Sequence, residues 1–120
     1  MPRIRLVAAL AVILTLACAG LGRAEDQFFT AVEDLPVMPG LTERPGSTAT
    51  FEKPEGRIVA LTADGAVSRD AVVAFYDRVL PELGWTRDQD GSFRRESERL
   101  RLAFAKAADG ISVRITITPE

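Results

Sequence analysis

The sequence predicts an α+β fold, a two-layer sandwich with one main helix packed on a curved, mostly antiparallel sheet, in the order β-α-β-β-β-β. Three observations carry this expectation. Val72, Phe75, Tyr76, Val79, Leu80 and Leu83 recur at helical spacing and form one apolar stripe. From Leu100 onward, apolar and polar residues alternate through two long segments. Asp90-Gly91 and Asp109-Gly110 supply the tight-turn chemistry that joins neighbouring strands.

The chain opens on Arg3 and Arg5, an apolar run from Leu6 to Leu21, and Gly22-Arg23-Ala24. Charge, then apolar residues, then small residues is the order of a secretory signal peptide, so residues 1–24 are expected to be a leader cleaved after Ala24. Two alternatives stand beside cleavage. Thr15-Leu16-Ala17-Cys18 approximates a bacterial lipidation box, departing from it at Thr15, and would make the product a lipoprotein anchored through Cys18. An uncleaved leader would serve as an anchor. The expected location is outside the cytoplasm, in the periplasm.

Residues 25–55 read as an irregular, proline-rich N-terminal arm, and 56–120 as the α+β domain. Pro36, Pro39, Pro45 and Pro54 break any long helix in the arm, and Gly40 and Gly46 add turns. A short helix over Glu25–Asp34 would put Phe28, Phe29 and Val32 on one side. Leu35, Val37, Met38 and Leu41 are too apolar for a free tail. They are expected to lie across the domain; the sharper alternative makes them a partner-binding strip, in which Pro36-x-x-Pro39 matches a polyproline-ligand spacing.

Gly56–Asp64 reads as a strand with Ile58, Val59, Ala60 and Leu61 consecutive. Ser68 is suited to cap a helix over Arg69–Leu80, with Asp70 in its first turn and Gly84 as its terminator. Trp85–Arg87 and Ser92–Arg95 form a hairpin about Asp90-Gly91. Glu96-Ser97-Glu98 turns the chain into two strands that meet through Asp109-Gly110. Their dry phases are Leu100, Leu102, Phe104 and Ile111, Val113, Ile115, Ile117.

Four sequence patterns, Gly56-Arg57-Ile58-Val59, Phe75-Tyr76, Leu80-Pro81-x-Leu83-Gly84-Trp85 and Phe93-x-Arg95-Glu96, resemble a family of small exported bacterial α+β domains of uncharacterised function. The resemblance covers about residues 35–118. It implies a compartment and a fold, and no activity.

Composition narrows the chemistry. All 17 acidic residues follow the leader, whereas Arg3, Arg5 and Arg23 of the 15 basic residues precede the cleavage point, so the secreted part is distinctly acidic. That disfavours nucleic acid, whose phosphates need a basic surface, and docking on anionic lipid. The membrane is therefore expected to be met only through the leader or a lipid on Cys18. With no histidine and no cysteine after Cys18, His-based nucleophile systems and zinc sites built on these residues are excluded. No glycine-rich phosphate loop is present.

The carboxylates offer little more. Asp88-x-Asp90-Gly91-Ser92 opens like a calcium loop, but its glycine comes early and Arg99 occupies the twelfth position, so a hairpin turn is expected instead. Glu96 and Glu98 would form a carboxylate pair if the chain were extended there, but Arg94, Arg95, Arg99 and Arg101 crowd them. Arg99, Arg101 and Arg114 fall on the wet phase of the last two strands. They form a candidate row for an acidic partner, or else a solubilising face. Tyr76 and Trp85 are expected in the core.

The expectation is thus a non-enzymatic envelope protein acting as a partner-binding or accessory module, with an envelope protein as partner and no catalytic residue, metal or cofactor. Its candidate contacts are Leu35, Val37, Met38, Leu41, Arg99, Arg101 and Arg114. Alternatives are a small-ligand module with a cavity between layers and, weakest, a hydrolase using Glu96 or Glu98.

Overall fold

A computed structural model describes residues 27–120. The predicted leader, with Cys18 and its lipidation reading, lies outside the described residues. The elements in chain order are β1 (Phe28–Phe29), β2 (Val32–Pro36), β3 (Leu41–Glu43), β4 (Ala49–Lys53), β5 (Gly56–Gly65), α1 (Arg69–Glu82), β6 (Thr86–Arg87), β7 (Phe93–Arg95), β8 (Glu98–Ala107) and β9 (Gly110–Pro119).

The fold class differs from the expectation. Strands make up 53% of the described residues and the single helix 15%, so this is a mostly-β protein and not an α+β sandwich. The core shows why. Of the seventeen buried hydrophobic side chains among the described residues, α1 supplies only Val72, Tyr76 and Leu80. Residues 29–41 supply five, namely Phe29, Val32, Leu35, Val37 and Leu41. The apolar stripe on α1 is real, but it is one contributor to a core dominated by strands.

The main sheet has seven strands in the order β3-β5-β9-β8-β7-β6, with β4 also paired to β5. All of its pairings are antiparallel. The Asp109-Gly110 turn closes β8 on β9 at Ala107 opposite Gly110, and this register runs on to Glu98 opposite Pro119. β9 pairs on its other side with β5, Val59 opposite Ile117 and Gly65 opposite Ile111. Register thus lines up Val59, Ile117, Leu100 and Phe93 across four strands, all buried. This is the dry phase of the alternation.

The segment read as irregular carries β1 to β4. Over the described part of the expected Glu25–Asp34 helix, residues 27–34, a tight turn instead sets Phe29 opposite Val32, and both side chains enter the core. Aromatic and β-branched residues favour the pleated arrangement. β3 and β4 share one flank of β5, separated by the Pro45-Gly46 turn. There the Arg44 amide donates to the Thr62 carbonyl at 2.8 Å, and the Thr62 amide donates to Ser47 Oγ at 3.1 Å.

The helix starts where expected: Ser68 Oγ accepts from the Ala71 amide at 3.1 Å. It runs two residues past the expected end, through Pro81, and stops where Gly84 turns left-handed at φ 92°. Tyr76, fully buried, ties helix to arm. Its hydroxyl donates to the Pro36 carbonyl at 2.8 Å and accepts from the Met38 amide at 3.3 Å. Arg95 makes a second tie, bonding Asp34 at 2.7 Å and the Leu83 carbonyl at 3.0 Å while lying 4.4 Å over the Trp85 ring.

Candidate functional site

Two surfaces were expected to meet a partner, and the structure treats them differently. Leu35, Val37 and Leu41 are buried and Met38 is packed against the same core. They are spent on folding, which corrects the reading of this strip as a free docking surface. An arm with five core side chains cannot leave the domain without exposing them.

The arginines lie on the outer face of the main sheet. Register places Arg114 on β9 between Thr62 on β5 and Ala103 on β8. The next row is Ala60, Thr116 and Arg101. Arg101 and Arg114 are therefore diagonal neighbours, at a spacing of about 7–8 Å between strands, and not a directly opposed pair. The Asp109-Gly110 turn imposes this offset.

Each arginine has its own surroundings. Arg99 is drawn into a network and its side chain is only 17% exposed: it bonds Asp88 at 2.8 Å, Ser92 at 2.6 Å, and Glu120. Hydrogen bonds from Glu120 and then Asp88 push its already high pKa up further. It is committed within the molecule and leaves the candidate row. Arg101 reaches Asp90 at only 3.9 Å, with both side chains more than half exposed. Such a pair contributes little. Arg114 is exposed and forms no ion pair among the described residues.

A fourth arginine, Arg44, joins this face from the β3–β4 turn. It grips Asp64 with two bonds of 2.8 and 2.7 Å and donates to Ser112 Oγ at 3.0 Å. The Arg44 hydrogen bond, followed by that from Ser112, pulls the Asp64 carboxyl down to about 2. Together with Thr62, Ala103 and Arg114, Arg44 and Ser112 line an open groove of about 380 Å³. Arg44 could not be read from periodicity, because it sits beside Pro45-Gly46 in a stretch with none; its only sequence cue is charge complementary to Asp64.

The remaining candidates resolve into structure. Glu96 occupies a left-handed turn at φ 53°, so the chain is not extended there, and Glu98 bonds Arg57 at 2.9 Å. These carboxylates do not form a facing pair. Asp88 and Asp90 shape the β6–β7 hairpin. The Asp88 amide donates to the Ser92 carbonyl at 2.8 Å, and Asp90 accepts from the Ser92 amide and hydroxyl at 3.0 and 2.6 Å. The Ser92 hydroxyl bond, followed by its amide bond, lowers the Asp90 pKa. Among the described residues no group of three or more His, Cys, Asp or Glu side chains is placed to hold a metal ion. Nor is any described helix long and apolar enough to cross a membrane.

Chemically, the outer face offers two extended guanidinium groups, Arg101 and Arg114, above a floor of alanine and threonine. Guanidinium forks match carboxylates in bidentate geometry. Comparison with protein-family models, with curated proteins and with solved structures finds no match to this chain.

Proposed function

We propose that this protein is a non-enzymatic binding module of the bacterial cell envelope that receives an acidic segment of a partner protein on the outer face of its main sheet. The observation that supports this reading is Arg114. It stands at the middle of the face, in register with small residues on both sides and unpaired among the described residues, in a chain with an excess of carboxylates. A merely solubilising arginine on such a chain would be expected to find one of its own carboxylates, as Arg44 and Arg99 do. Arg101, held only loosely by Asp90, would turn to the same ligand.

The test is crosslinking in the native envelope, read by mass spectrometry, for wild type and an Arg101→Glu/Arg114→Glu variant. Loss of a specific crosslinked partner with an unchanged melting temperature is expected, since neither side chain supports the core. An identical set of crosslinked proteins for both would refute the assignment of this face.

A further inference from the structure

We infer that two copies of this chain pair edge to edge through β4, extending the main sheet across a two-fold axis at Phe51. This goes beyond the proposed arginine face and does not depend on it. Phe51 and Phe28 are the two exposed large hydrophobic residues among those described, and Phe51 is the more exposed at 61%. It sits at the centre of β4, a five-residue strand that among the described residues pairs only on its β5 side. The opposite end of the sheet offers much less, because β6 has two residues and Arg87 bonds Asp77 of α1.

Backbone parity makes the free side of β4 a usable template. The amide and carbonyl of Thr62 both engage the β3–β4 turn, so even-numbered residues of β5 direct their backbone groups toward that flank. Their partners on β4 are Ala49, opposite Ala60, Phe51, opposite Ile58, and Lys53, opposite Gly56. The N–H and C=O groups of Thr50 and Glu52 then face outward, unpaired by any described strand.

A second copy answers this pattern in one register. With the axis at Phe51, Thr50 of each copy lies opposite Glu52 of the other and both pairs exchange backbone hydrogen bonds. Ala49 lies opposite Lys53. The two Phe51 rings meet as a non-hydrogen-bonded pair, the closer kind, on one face of the joined sheet. No like charges are opposed. Sliding the axis to Glu52 would oppose two carboxylates and place Phe51 against Lys53. Sliding it to Thr50 would leave each Phe51 against an alanine. The absence of opposed like charges and the Phe51 pair thus favour a second copy of β4 in this register.

Three measurements test this on the full chain as the cell processes it. Wild type should sediment as a dimer at micromolar concentration, and Phe51→Glu should weaken association by at least about tenfold without lowering the melting temperature, as an exposed edge contact predicts. In a Cys18→Ser background, Phe51→Cys should give a disulfide-linked dimer on mild oxidation. Ala49→Cys should not, because its two copies would lie about four residues apart, roughly 13 Å. A wild-type monomer at all accessible concentrations would overturn the inference. So would a dimer that survives Phe51→Glu, one that crosslinks through position 49 in preference to 51, or capture of a foreign strand along β4 in place of a second copy.

Discussion

Replacing Tyr76 by phenylalanine probes the junction between arm, helix and sheet. The ring would stay in its buried place against Phe75, edge to face at 4.9 Å and 84°, so packing is conserved. What disappears is a hydroxyl that satisfies the Pro36 carbonyl at 2.8 Å and the Met38 amide at 3.3 Å. A buried polar group left without its partner costs about 1–3 kcal/mol. Two considerations reduce the sum for these two groups. The second bond is long, and Pro36 and Met38 are half-buried, so water can reach them in part. The net cost is about 1–2 kcal/mol, which lowers the melting temperature of a domain this size by roughly 5–15 °C. The single tryptophan, Trp85, is 3% exposed, and its fluorescence reports the transition. Burial also pushes the Tyr76 hydroxyl up to about 12, above its ordinary value of 10. The folded state therefore retains the phenolic proton more tightly than the unfolded chain. Stability contributed in this way is complete below pH 10 and is lost as pH rises toward 12. With only one tyrosine in the chain, this alkaline limb should vanish in Tyr76→Phe. A variant melting within about 2 °C of wild type, with Met38 amide exchange unchanged, would refute the claim that this hydroxyl clamps the arm.

Asp64 governs the opposite end of the pH scale. Its pKa is lowered from 3.8 to about 2 by Arg44 and Ser112, so its stabilising effect is present above pH 3.8 and fades as pH falls toward 2; Asp64→Asn should flatten that part of a stability–pH profile measured by denaturant unfolding. Gly65→Ala tests backbone packing at the end of the sheet, where an added Cβ would lie 2.0 Å from the Gly40 carbonyl oxygen. Because backbone must move, the cost should reach about 3 kcal/mol, the upper end for overpacking, visible as a melting-temperature drop of roughly 12–24 °C.

The legible parts of this fold are those where periodicity and turn chemistry act together. β8 and β9 follow from strict alternation about Asp109-Gly110, and α1 from its stripe and its Ser68 cap. The expected strand over residues 56–64 is β5 with one residue more. The illegible part is residues 28–53. Its strands are two to five residues long and broken by proline and glycine, too short for a period to show. Missing them inflated the weight of the one helix and produced the wrong fold class. The candidate surface was half legible. Alternation identifies which face Arg99, Arg101 and Arg114 share, but register decides which of them meet. Nothing local in the sequence announces that Arg99 is consumed by Asp88 and Glu120, or that Arg44 arrives from a turn.

The adjacency of β5 and β9 has a consequence for how the protein is made. The middle of the sheet joins strands far apart in the sequence, since Val59 must find Ile117. Until β9 has been made, the nascent chain can form the α1 turns and the β6–β7 hairpin but cannot close this ladder. In this topology that delay comes from the order in which the strands are synthesised.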